Sequence, residues 1–315
     1  MRTVQLGNDT IPAIAIGTWS WGVGINGGKG VFGNAYGFED LFPVFETGIK
    51  NGLTLWDTAA VYGMGASETI LGECIQKTNP IILSTKFTPM GLQTKKAMES
   101  YCNKSMERLH QSSIDLYWIH SPANVKKWTN QAIALYQAGK IKHIGVSNHN
   151  LDQIKEASSI LEANGIHLDA VQNHYSILYR CSEQEGIIDW CEKNNTRFFA
   201  YMVLEQGALS GRFSEANPFP AKTRRAKAFP PKRLKELEPL LIYMGELAKK
   251  YQADIAQIAI AWAIAKKTIP LVGATKMSQI ESILKADGIA LTLEEIEEME
   301  NQALKTGVSV KASWE

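Results

Sequence analysis

The chain has 315 residues, 45% of them hydrophobic and 21% charged, and a formal net charge of +1. That length buries one large core or two smaller ones, and the near-zero charge excludes a global field that would recruit nucleic acid or an anionic membrane. Cys74, Cys102, Cys181 and Cys191 have neither CxxC nor metal spacing, the N-terminus lacks an apolar targeting core, and no run reaches the ~18 apolar residues of a membrane span, so the expectation is a cytoplasmic protein without a metal site.

In chain order, the first twelve residues with the turn-like LGND predict a small hairpin. Eight short apolar runs follow: AIAIG (13–17), LTLWD (53–57), IILSTK (81–86), IDLYWIH (114–120), IKHIGVSN (141–148), LDAVQ (168–172), RFFAY (197–201) and IPLVG (269–273). The segments between them mostly keep helical period. In 94–111, Met98, Tyr101, Cys102, Met106 and Leu109 share a face, and TLEEIEEMENQAL opens with a capping box from Thr292 to Glu295 and carries Leu293, Ile296 and Met299 on one stripe. Eight βα units in about 260 residues predict an α/β fold, a (β/α)8 TIM barrel with an N-terminal β-hairpin and a C-terminal helix. Residues 1–315 read as one domain, without linker or low-complexity tract.

Active sites of such barrels are built at the C-terminal ends of the strands. Asp57 ends the second run, Lys86 the third and His120 the fourth, and Tyr62 lies in the loop after the second. Each residue taken alone has an ordinary structural role open to it; together they form a chemical group. A phenol is a poor acid at neutral pH, and a nearby ammonium stabilises its phenolate: at ~4 Å and a dielectric of ~20 the attraction is at most about 4 kcal/mol, or roughly 3 pKa units. Asp57 would orient Lys86, and His120 would hydrogen-bond the reacting oxygen. Trp19, Trp21 and Trp118 either line an apolar substrate pocket or pack the barrel mouth.

GVGING (22–27) satisfies G-x-G-x-x-G, but the glycines continue to Gly37 and a helical pattern starts only near Asp40, so a loop is expected rather than a dinucleotide fingerprint. GATKMSQIESIL, in contrast, follows a strand and begins a helix near Ser278, offering free backbone N–H groups and the cation Lys276 to an anion. Between Arg212 and Lys235, eight cations face a single acid, Glu215; this reads as a solvated face, since nucleic-acid binding would have only Phe213, Phe219 and Phe229 for stacking.

The DTAxxYG segment with Ser67-Glu68, then STK, DLYWIH, IGVSN, VQNHYSILYR, AYMVLEQGALSG and LVGATK, in this order over nearly the whole chain, resembles the aldo-keto reductase superfamily. The resemblance implies an NAD(P)H-dependent reductase of an aldehyde or ketone, with Asp57, Tyr62, Lys86 and His120 as the catalytic tetrad and Tyr62 as proton donor. It implies cofactor contacts from Gly17, Thr18, Trp19 and Asp57, from Ser147, Asn148 and Gln172 at the carboxamide, and from Tyr201 stacked on the nicotinamide. Leu204, Gln206, Gly207, Gly211 and Arg212 would serve the pyrophosphate side, and Gly273, Thr275, Lys276 and Gln279 the adenosine phosphate. Lys276 favours NADP(H) over NAD(H), although no arginine lies between Arg233 and the C-terminus, where many relatives carry one. Met202 stands where serine is common. The implied partner is a small carbonyl or alcohol substrate, with no nucleic acid and no membrane, its identity set by 20–38, 121–131, 202–231 and the tail ending in Trp314. Two rival readings are a redox-sensing module with slow turnover, as in the potassium-channel beta subunits, and an aldolase forming a Schiff base at Lys86.

Overall fold

The computed structural model describes residues 1–24, 26–78, 81–94 and 96–310; Ile25 of the glycine-rich segment and the tail with Trp314 lie outside these residues. Strands β1 (Thr3–Leu6) and β2 (Asp9–Pro12) pair antiparallel about Gly7 and Asn8. Eight parallel strands follow: β3 (Ala15–Gly17), β4 (Leu55–Asp57), β5 (Ile82–Phe87), β6 (Ile114–Ile119), β7 (Ile141–Ser147), β8 (Ala170–His174), β9 (Arg197–Tyr201) and β10 (Ile269–Gly273). They close in the order β10-β3-β4-β5-β6-β7-β8-β9 with helices between them, and a last helix spans Leu293–Lys305. The expected barrel, hairpin and terminal helix are present.

Alternation along each strand sorts the side chains into two cores. Leu55 enters the interior cluster with Ala15, Leu116, Trp118, Ala170, Phe199 and Ile269, closed from below by Leu6 and Ile11 of the hairpin. Its neighbour Trp56 faces outward, packing on Phe45 of the helix Phe38–Lys50 with ring centroids 4.7 Å apart. Asp57 is therefore in phase with Leu55 and sits at the interior's upper end. Trp118 crosses that interior only because position 145 is glycine: a Cβ there would lie 2.3 Å from its ring.

Several expected boundaries shift. Ala13 and Ile14 precede β3, β5 continues one residue past Lys86, and β8 begins at Ala170 and runs to His174. His120 lies just beyond β6, although its N–H still extends the ladder to Phe87 O at 2.9 Å. The Thr292–Glu295 capping box is present, but Leu293 is 74% exposed; as the first helical residue it points away from the stripe that buries Ile296 and Met299. Among the described residues, the glycine-rich segment opens no α-helix before Phe38. Its glycines instead permit close packing on the turn after Tyr62, where a Cβ at Gly24 would sit 2.8 Å from Gly63 Cα. None of the described helices is long and apolar enough to cross a membrane.

The hairpin is locked to the barrel floor by His143 of β7, whose Nδ1 meets Asp169 Oδ2 and whose Nε2 meets Asp9 Oδ2, each at 3.0 Å. Burial pulls this imidazole down, but the hydrogen bonds to Asp169 and Asp9 outweigh it and raise its pKa above the ordinary 6.5. A raised folded-state pKa means that the contribution is fully present below pH 6.5 and is lost as pH rises through the folded value. Melting temperature should therefore decline between pH 6 and 9 by an amount that His143→Gln removes; identical pH profiles for both proteins would show that the bridge carries no stability.

Candidate active site

Strand register builds the site. Asp57 pairs with Ser84 across β4 and β5, so Lys86, two residues further on, shares their inward face one step higher. Lys86 is wholly buried, donating to Asp57 Oδ2 and to Thr58 O at 2.8 Å. Ser84 Oγ donates to Asp57 Oδ1 at 2.6 Å, Trp118 Nε1 donates to Ser84 Oγ at 2.6 Å, and Gln172 Nε2 approaches the same Oδ1 at 3.4 Å. Both charges thus have several partners, the condition under which a buried ion pair is tolerated.

The turn Tyr62–Gly65 lays the Tyr62 ring over this pair, with Lys86 Nζ 5.3 Å from the ring centroid. Gly63, Met64 and Gly65 all take positive φ there, so the chain reverses at once and points the tyrosine back over the barrel. His120 stands edge-on to Tyr62, with ring centroids 6.2 Å apart, and its Nδ1 is 2.9 Å from Thr88 Oγ1. Asp57, Tyr62, Lys86 and His120 converge as the sequence predicts.

The electrostatics differ from the expectation. Tyr62 is not acidified: burial first, then Asp57 and Tyr201, raise it well above the usual phenol value. The ammonium fails to offset this because Asp57 neutralises it. Burial lowers the Lys86 pKa against the pull of Asp57. His120 is lowered to about 3 by burial and then by Lys86, which keeps it neutral.

Tyr62 and His120 form part of the wall of a cavity of 1780 Å³. Around it the structure gathers Gly17, Trp19, Ser147, Asn148, Gln172, Tyr201, Leu204, Gln206, Gly207, Arg212, Gly273, Thr275, Lys276 and Gln279, all expected from the sequence. Thr18, Asp57, Lys86 and Gly211 do not line it. Thr18 is buried behind Asp57 and donates to its carbonyl, the Asp57–Lys86 pair lies beneath the floor, and Gly211 packs on Ile255. Trp19 lines the wall beside Tyr62, whereas Trp21 and Trp118 are core residues bonded to Ala274 O and Ser84 Oγ.

Asn148 adopts φ 60 and ties two parts of the cavity wall together: it donates to His120 O at 3.0 Å and accepts from Tyr201 OH at 2.6 Å. The next helix is capped by Asn150. At the last turn the expected free N–H groups are partly taken, since Gln279 Oε1 accepts from Thr275 N at 2.8 Å and Lys276 N at 3.0 Å. The turn is thereby ordered around a polar side chain, with Lys276 exposed beside it.

The cation-rich insertion is more than a solvated face. Arg225 lines the cavity within 5.0–5.8 Å of the rings of Phe32, Phe213 and Phe219 and donates to Phe32 O at 2.9 Å; Arg224 reaches Asn26 Oδ1 at 3.5 Å. The insertion is thus tied across to the loop after β3. Phe219 and Phe229 are buried, which removes them as platforms for nucleic-acid bases. Ser84 and Arg225 were missed in the sequence, although Ser84 lies two residues before Lys86 on the same strand face.

Residues 13–303 match the model of the Aldo/keto reductase family. Among curated proteins, a chloroplastic pyridoxal reductase of Arabidopsis thaliana is 29% identical over 98% of this chain and 88% of its own, and an aldo-keto reductase of Gibberella moniliformis is 30% identical over 88% of each. Among solved structures, a thermostable aldo-keto reductase in complex with the inhibitor epalrestat superposes with a TM-score of 0.78 at 26% identity, covering 96% of this chain and all of that one.

Because the ammonium of Lys86 is dry, removing its partner leaves an uncompensated charge. Asp57→Ala should cost about 3–5 kcal/mol in denaturant unfolding, and a loss below about 1 kcal/mol, the scale of an exposed pair, would mean that Lys86 is hydrated.

Proposed function

The chain belongs to the aldo/keto reductase family and is an oxidoreductase; from that premise we propose that it reduces the carbonyl of an aldehyde or ketone to an alcohol, reversibly, using NADP(H) in preference to NAD(H). The observation that carries the reading is the wholly buried Asp57–Lys86 pair directly beneath Tyr62 and His120, at the floor of a cavity whose wall also carries Lys276. The cavity exceeds the ~300–1,000 Å³ of an ordinary ligand pocket. Its wall offers carboxamide partners in Ser147, Asn148 and Gln172, an aromatic face in Tyr201, and cations in Arg212 and Lys276, so the residues fit a nicotinamide dinucleotide phosphate. When bound, that cofactor supplies the electron pair, as hydride, to the carbonyl carbon.

Tyr62 supplies the proton. Its raised pKa keeps the phenol protonated throughout the physiological range, so the proton is available to the alkoxide that develops on the substrate oxygen. As the phenolate forms, it does so against the Lys86 ammonium, which Asp57 holds in place. Neutral His120 serves as a hydrogen-bonding group; in the tautomer that keeps the ring proton on Nε2, facing the substrate, Nδ1 accepts from the Thr88 hydroxyl. Lys86 is a poor Schiff-base nucleophile, being paired with Asp57 and outside the cavity wall.

Oxidation of NADPH over a panel of aldehydes and ketones tests the proposal: multiple turnovers support it, whereas tight binding without turnover would favour a redox-sensing role. Tyr62→Phe should lower carbonyl reduction by about 10²–10⁴ and leave NADPH affinity nearly unchanged; retained activity would sink the assignment. Lys276→Ala should weaken NADPH by about tenfold or more, the worth of a charge-assisted hydrogen bond, with little change for NADH. Equal losses would mean that the lysine does not read the 2'-phosphate.

A further inference from the structure

Behind Tyr201 lies a group that the proposed chemistry does not use. His174 is the last residue of β8 and stands in register with Tyr201, the last residue of β9, so their rings lie nearly parallel, 5.6 Å apart and inclined by 21°. A bridge between Ser176 and Tyr179 folds the chain back, placing the Tyr179 ring 4.2 Å from His174 at 14°. The imidazole is the middle layer of a three-ring stack. Its Nε2 is 2.7 Å from Glu205 Oε1, which also accepts from Ser176 Oγ.

Glu205 is an unusual residue to find there. It is 0% exposed, its second oxygen is buried without a hydrogen-bond partner, and it sits at φ 45, between Met202 at φ 64 and Gln206 at φ 57. A buried carboxylate with an unmet acceptor, on a left-handed non-glycine residue followed by another, opposes folding. An apolar side chain would fill the same space without that cost. The arrangement does have a geometric effect: Glu205 fixes the plane of His174, His174 backs the ring of Tyr201, and Tyr201 donates to Asn148, which in turn donates to His120 O.

We propose that His174 and Glu205 are positioning residues that hold Tyr201 as a rigid platform for the nicotinamide ring, and through Tyr201 set the orientation of Asn148. The proposal rests on the cofactor reading above. Neither residue touches the reacting atoms. Loss of either loosens the nicotinamide end of the site and leaves the adenosine end as it was.

The test compares two ligands by calorimetric titration: NADPH, and 2',5'-ADP, which carries the phosphates but no nicotinamide. Glu205→Ala should weaken NADPH by about tenfold and leave 2',5'-ADP unchanged. Glu205→Gln, which still accepts from His174 and Ser176, should restore NADPH binding. His174→Gln keeps a hydrogen bond to Glu205, so no bare carboxylate is stranded, but it removes the middle ring; it should reproduce the selective loss. Unchanged NADPH affinity in Glu205→Ala and His174→Gln, or equal weakening of both ligands, would overturn the positioning role. A wild-type protein that binds neither ligand would instead overturn the cofactor reading, and this proposal with it.

Discussion

The ion pair of Asp57 and Lys86 is the constraint on which the rest of the site depends. Two opposite charges share a space from which water is excluded, and they are tolerated there because each has additional partners: Ser84 and Gln172 on the carboxylate, the Thr58 carbonyl on the ammonium. The pair presents almost no net charge to its surroundings. Tyr62, directly above, consequently feels burial more than attraction and stays a neutral acid. In the proposed reduction the cation would act once negative charge forms on the phenol, which is the condition for differential stabilisation of a transition state.

Around that pair, the wall is assembled from pieces that hold one another. The loop after β3 packs its glycines on the Tyr62 turn, and Trp19, whose Nε1 donates to Asn26 O, sets its ring beside Tyr62. The insertion after β9 reaches the same loop through Arg225, a half-buried guanidinium among three phenylalanine rings whose pKa is lowered by burial. Cation–π contacts of about 0.5–2 kcal/mol each offset that desolvation. Beneath the insertion, Phe219, Phe229, Leu234 and Leu237 form a cluster with Val308 and Val310, so the residues after the last helix buttress it.

Much of this was legible from the order of residues. Short apolar runs ending in Asp57, Lys86 and His120 located the strands and the rim where those side chains meet, and the Thr292–Glu295 box located the last helix. Legibility failed where a side chain's role is set by a distant neighbour. Trp118 and Trp19 look alike in sequence; one donates to Ser84 in the barrel interior, which Gly145 leaves open, and the other lines the cavity. Gln279 carries a helix-start signature, yet its carbonyl occupies N–H groups that the sequence left free for an anion.

What the sequence by itself determined was the architecture and the gathering of Asp57, Tyr62, Lys86 and His120 on one rim, because strand periodicity and strand-end position are local properties that repeat along the chain; the family was legible separately, from motifs matched in order. Only the tertiary structure decided the protonation behaviour of those side chains and which of their neighbours face the cavity. Desolvation depends on everything within several ångströms, whatever its position in the chain. The phenol expected to be acidic is therefore a weak acid beside a compensated cation, and His174 and Glu205, unremarked in sequence, meet behind Tyr201.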